Sequence, residues 1–245
     1  MRTIVLSACL ALVFSSMNKS CLAQDSGLDS AKPYRSPERF EKAIQRFEAA
    51  DQQQPPPQGA IVCIGSSSMR FWHETIAVDL APLTIIPRGF GGSNMNDALH
   101  YADRIVLPYS PRAIVVYEGD NDVAQGVSPE QILSTLRKFV DKVHTRFPEC
   151  RIYFLSVKPS IKRWHLWSRM QEVNRLIAAE CAKDKRLAFV DVATGMLNAE
   201  GEPIKNLFKK DDLHMTEEGY VVWKDALRPV LMDAELRYES KKPAE

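Results

Sequence analysis

Five short apolar runs, at residues 60–64, 83–86, 113–117, 152–157 and 187–190, alternate with segments whose apolar residues recur at helical spacing. A strand that is apolar along its whole length, rather than at every second position, is buried on both faces. Linking such strands through helices produces crossovers, and crossovers produce a parallel sheet with helices on either side. The pattern therefore predicts an α/β chain, a three-layer sandwich around a five-stranded parallel sheet. Helices are expected over residues 94–106, from Ser128-Pro129-Glu130 onward, over 167–182, and from just after His214 to about Leu236. In the second of these Ile132, Leu136, Phe139, Val140 and Val143 share one face.

The stretch ahead of the alternation reads differently. Arg2 is followed by an apolar run at 4–14, too short to span a bilayer, and then by Cys21-Leu22-Ala23. Residues 1–23 are thus expected to be an export signal cut near Ala23, giving a periplasmic or extracellular protein without stable membrane insertion. Residues 24–58 form an N-terminal segment: a mobile start up to Tyr34, a helix opened by Ser36-Pro37, and a Pro-rich connector at 52–57. The main domain is placed at 59–238. Lys and Arg total 32 against 31 Asp and Glu, so there is no field to attract nucleic acid, and a small or neutral ligand is expected. Cys63, Cys150 and Cys181 follow the signal and suit no zinc spacing. Cys63 reads as a core thiol, whereas Cys150 and Cys181 are placed at one rim of the sheet, where a disulfide could form in an oxidising compartment.

In a parallel sheet, ligands bind beyond the carboxyl ends of the strands. Polar residues collect at those points: Gly65-Ser66-Ser67-Ser68 after the first run, Arg88-Gly89-Phe90-Gly91-Gly92-Ser93 after the second, and Glu118-Gly119-Asp120-Asn121-Asp122 after the third. A serine where a strand turns into a helix is exposed, and its N–H lies where negative charge is favoured. Glycines let backbone approach a ligand. An asparagine amide can hold an oxyanion without titrating, while Asp120 and Asp122 suit a cation or a turn equally well. Asp211-Asp212-Leu213-His214 brings a carboxylate and an imidazole to one side of a turn, with Asp211 better spaced than Asp212.

These four segments, in this order, resemble the sequence blocks of the SGNH, or GDSL-type, hydrolases, over about residues 61–231. The resemblance implies a flavodoxin-like sandwich and a serine esterase with Ser67 as nucleophile and Asp211–His214 as its base system. It also implies an oxyanion hole made by the Ser67 and Gly92 N–H groups and the Asn121 amide, with Gly91 adjacent to the Gly92 position. Ser66 stands where the family motif has aspartate, a position with none of these chemical roles. No metal or other cofactor is implied.

Substrates compatible with the family include short-chain or acetyl esters, acetylated carbohydrates, lipid acyl groups and thioesters. Export and balanced charge favour a small-molecule or carbohydrate ester. Trp164 and Trp167 could stack on sugar rings, and Arg70 and Arg88 could read a polar group. Phe71 and Trp72 are expected to pack internally. A non-catalytic carbohydrate-binding relative, or a metal-dependent hydrolase built on Asp120, Asp122, Asp211 and His214, are the rival readings.

Overall fold

The computed structural model describes residues 32–239. The proposed signal at 1–23 lies outside them. Five parallel strands, β1 (Ile61–Gly65), β2 (Ile85–Gly89), β3 (Ala113–Tyr117), β4 (Arg151–Leu155) and β5 (Leu187–Val190), form one sheet in the order β2-β1-β3-β4-β5. The helices are α1 (Glu41–Gln53), α2 (Ser67–Trp72), α3 (Ile76–Asp79), α4 (Met95–Ile105), α5 (Asp120–Ala124), α6 (Pro129–Arg146), α7 (Trp167–Cys181) and α8 (Glu217–Glu235).

Alternation along each strand divides the core between two layers. Val62, Ile64, Ile114, Val116, Ile152 and Phe154 pack with residues of α1, α4, α6 and α7. Ile61, Cys63, Val115, Tyr117, Tyr153 and Leu155 pack on the other face with Trp72, Trp223, Leu227 and Leu231. Both faces of the three central strands are covered, which is why their sequences read as unbroken apolar runs.

Local chemistry fixes where the helices begin. Asn94 and Asp97 cap α4 reciprocally, each side chain accepting the other's backbone N–H at 3.0 Å. Ser128 accepts from the Gln131 N–H at 3.2 Å, with Pro129 at the first helical position, as its sequence suggested.

Three expectations are corrected. Of the start expected to be mobile at 24–34, residues 24–31 lie outside the described residues and 32–34 are anchored: the Lys32 N–H bonds the Gly126 carbonyl at 3.1 Å, and the Tyr34 hydroxyl donates to Asp122 at 3.1 Å. Cys150 and Cys181 are free and buried, used as small apolar side chains, so no bridge joins them. Burial pushes each thiol up to about 12, which suppresses its thiolate. The second strand sits at Ile85–Gly89 rather than 83–86, and so takes in Pro87. That strand is at the sheet edge, where a missing N–H is tolerated.

Candidate active site

β1 ends at Gly65, and the chain turns at once into α2. A Cβ on Gly65 would lie 2.5 Å from the Tyr117 carbonyl oxygen, so only glycine lets the turn close against β3. Ser67 is the first residue of α2. Its N–H belongs to the unpaired first turn of the helix and has no acceptor among the described residues.

The Ser67 Oγ lies 3.0 Å from His214 Nε2, and His214 Nδ1 lies 2.5 Å from Asp211 Oδ2. Asp211 also accepts the Leu213 and His214 backbone N–H groups at 3.1 and 3.0 Å. Partial loss of water around the otherwise exposed Asp211 opposes its ionisation, but the bonds from the His214 ring and the two N–H groups outweigh it and hold the carboxyl well below the usual carboxylate range. An ionised Asp211 fixes the proton on Nδ1 and leaves Nε2 free to accept from the serine. Asp212 points elsewhere, pairing with Lys205 from a left-handed backbone (φ 59°).

Beyond β2, Phe90 to Ser93 form a turn closed by the Ser93 N–H to Phe90 carbonyl bond at 3.3 Å. Gly92 occupies its third position at φ 90°, a conformation that selects glycine. A Cβ on Gly91 would lie 3.9 Å from the Ser67 Cβ, so this loop runs beside the serine. Neither the Gly91 nor the Gly92 N–H has an acceptor among the described residues. Beyond β3, the Asn121 Nδ2 donates to the Ser93 carbonyl at 2.8 Å, and its second hydrogen has no acceptor among the described residues. Ser67, the Gly91–Gly92 loop, Asn121, Asp211 and His214 thus meet at the carboxyl edge of the sheet.

Arg88 does not join them. Its guanidinium donates to the Tyr109 hydroxyl at 2.8 Å and Asp51 at 2.5 Å, and lies over the Phe47 ring. It fastens α1 to the sheet edge and has no free face for a substrate. Trp164 and Trp167 stack on each other, with ring centroids 5.8 Å apart and planes 18° apart. Trp167 packs on the core, while Trp164 directly follows Arg163, which bonds Asn121. Trp72 is buried, but Phe71 is 39% exposed and meets the His214 ring edge-on at 4.9 Å, so it walls the site instead of filling the core.

The carboxylates of the third segment are all engaged. Asp122 accepts from Tyr34 and from the Met95 and Gly119 N–H groups, and Asp120 accepts from Arg163. Glu118 is buried, with Oε1 accepting from the Ser93 hydroxyl at 2.5 Å and Oε2 without a partner among the described residues. Burial, reinforced by the charge on Asp122, raises the Glu118 carboxyl well above its usual range. Burial likewise lifts Asp97 to about 7 and Asp122 to about 6. A carboxyl with a raised folded-state pKa binds its proton more tightly when folded. Its contribution to stability is complete below the unfolded value of about 4 and declines as pH rises toward the folded value. Glu118→Gln copies the shape of the neutral acid and removes that decline. The variant should melt later than the parent at pH 8, by about 2–4 °C for each kcal/mol recovered, with a flatter midpoint between about pH 5 and 8. Parallel curves would show that Glu118 is ionised in the folded chain.

A parallel α/β sandwich with serine, imidazole and carboxylate hydrogen-bonded in series at the carboxyl edge of its sheet defines a hydrolase of the acyl-transfer class. Residues 59–222 match the model of the GDSL-like Lipase/Acylhydrolase family, and the chain belongs to that family. It is 28% identical over 187 residues to the platelet-activating factor acetylhydrolase IB subunit alpha1 of Homo sapiens, covering 75% of this chain and 79% of that one. It is 26% identical over 210 residues to the GDSL esterase/lipase WDL1 of Oryza sativa subsp. japonica, covering 74% and 80%. The crystal structure of a GDSL-like lipase from Bacteroides thetaiotaomicron superposes with a TM-score of 0.66 at 20% identity, covering 78% and 98%.

Sequence reasoning missed Arg163 and Lys158, whose partners Asn121, Asp120 and Leu213 are distant in the chain and which lie outside the four segments. Ser93 and Glu118 fall within those segments, but their bond to each other spans 25 residues and gave no local signal.

Proposed function

We propose that this family member is an exported serine esterase that hydrolyses short-chain or acetyl esters through an acyl-enzyme. One observation carries the reading: the unbroken Ser67–His214–Asp211 hydrogen-bond series, with the Ser67 Oγ 3.0 Å from Nε2. His214 takes the Ser67 proton as Oγ attacks the ester carbonyl, and Asp211 stabilises the resulting imidazolium. The Ser67 N–H, the Gly92 N–H and the free Asn121 hydrogen receive the oxyanion. On collapse of the tetrahedral species the imidazolium protonates the departing alcohol. Water then repeats the sequence on the acyl-serine and releases the acid.

The preference for short acyl groups draws support from the Homo sapiens relative, which is named for acetyl hydrolysis. Export rests on the sequence at 1–23 alone. A carbohydrate alcohol is supported by Trp164, which stacks on Trp167 and directly follows Arg163, the residue that bonds Asn121. The test is a chain-length series of aryl esters beside acetylated xylan and pectin fragments, with a phosphonate that tags active-site serines. The tag should fall on Ser67, acetyl should outrun octanoyl, and a chelator should change nothing. Tagging elsewhere, or chelator-sensitive turnover, would overturn the mechanism. Trp164→Ala should raise KM for an acetylated oligosaccharide by about tenfold more than for an aryl acetate, a difference near 1.4 kcal/mol. An equal effect on both would remove the tryptophan from sugar recognition.

A further inference from the structure

Arg163 lies after β4, just ahead of the turn Trp164–Leu166, and no part of the mechanism above uses it. Its Nη1 donates to Asn121 Oδ1 at 3.0 Å and to Asp120 Oδ1 at 2.7 Å. On the far side of the same amide, Nδ2 donates to the Ser93 carbonyl at 2.8 Å. A guanidinium can only donate and a carbonyl can only accept. The two neighbours therefore agree on which end of the amide is oxygen and which is nitrogen, and a flipped Asn121 would oppose both. A cation bonded to the amide oxygen also polarises the amide, making its free N–H a stronger donor.

The series continues past Arg163. Asp120 Oδ2 lies 4.0 Å from Lys158 Nζ, and that ammonium, on a side chain only 1% exposed, donates to the Leu213 carbonyl at 2.8 Å. Leu213 precedes His214. Close by, the Lys162 N–H bonds the Asp212 carbonyl at 2.9 Å. The loop after β4 thus holds the Asn121 amide on one side and the backbone bearing His214 on the other.

We propose that Arg163 is a positioning residue for acyl transfer, orienting the Asn121 amide toward the oxyanion and, with Asp120 and Lys158, tying that donor to the loop that carries His214. The proposal rests on the serine-esterase reading. Its effect belongs to the tetrahedral species and the transition states around it, because the bound ester carries no oxyanion.

The test is a double-mutant cycle of Arg163→Ala and Asn121→Ala on an aryl acetate, with kcat, KM and the thermal midpoint measured for each protein. Asn121→Ala should lower kcat by about 10²–10³, the usual effect of losing one oxyanion donor. Arg163→Ala should lower kcat by about ten- to a hundredfold with KM within about threefold, the signature of an interaction made only in the transition state. In the Asn121→Ala background the same change should cost less than about threefold, because the group through which Arg163 acts is gone. Arg163→Lys, which keeps a cationic donor, should recover at least half of the logarithmic loss. Should Arg163→Ala unfold, Arg163→Gln serves in the same cycle. Equal costs in the two backgrounds, or a raised KM at unchanged kcat, would overturn the proposal alone. Absence of Ser67 tagging in the parent protein would remove the esterase reading and the proposal with it.

Discussion

Ser67→Ala and His214→Ala should each lower kcat by roughly 10⁴–10⁶, and the double variant should lose no more than either single one. Neither group has a substitute. The Ser67 Oγ has one imidazole within hydrogen-bond reach, at 3.0 Å, and without that base it stays a neutral hydroxyl. Without the hydroxyl, the base has no proton to take in the first step. The activity left in either variant comes from the oxyanion donors and substrate binding, which both variants retain, so KM should change little. Asp211→Asn should cost less, about 10²–10⁴, because the Asp211 side chain is 43% exposed against 23% for His214, and water can partly replace the carboxylate. Additive losses in the Ser67→Ala/His214→Ala protein, measured as kcat on an aryl acetate, would show that the two residues do not work as one unit.

Much of this site was legible in sequence because its motifs are local. The turn from β1 into α2, the glycine pair after β2, and the three-residue spacing of Asp211 and His214 are each settled within a few residues. The same holds for β3 and β5, found at the positions their apolar runs mark. The misreadings were long-range. Arg88 looked free because its partners, Asp51 and Tyr109, lie 37 and 21 residues away in the chain. Phe71 looked like core because its apolar ring says nothing about facing His214. Arg163 gave no signal, since its partners Asp120 and Asn121 come from a different strand–helix connection. The anchoring of Tyr34 on Asp122 spans 88 residues, so the last residue of the stretch expected to be mobile instead buttresses an acid behind the oxyanion loop.

Stability and turnover should separate when Glu235 is changed. Glu235 is fully buried near the end of α8. Its carboxylate is bonded by Arg151, whose Nη2 lies at 2.7 Å, and by the Tyr153 hydroxyl at 2.7 Å, with Arg112 Nε at 3.3 Å. Arg151 opens β4, Tyr153 is its middle residue, and Arg112 immediately precedes β3. The cluster therefore locks α8 to the sheet edge opposite the serine. Glu235→Ala leaves the partly buried Arg151 guanidinium and the buried Tyr153 hydroxyl without their carboxylate acceptor, whereas Arg112 keeps Glu239 and the Gly59 carbonyl; breaking a comparable buried pair costs about 3–5 kcal/mol. At about 2–4 °C per kcal/mol for a chain of this size, the thermal midpoint should fall by about 6–20 °C. In parallel strands the two ends of the sheet are joined by stiff, close-packed core, and α8 meets the site at its start, where Thr216 caps it and the Tyr220 hydroxyl donates to the Ser68 carbonyl at 2.8 Å. The expected result is a protein that melts early yet keeps kcat within about twofold at 20 °C, where most molecules stay folded. A tenfold fall in kcat with an unchanged midpoint would instead mean that the Glu235 cluster sets the position of His214 through α8.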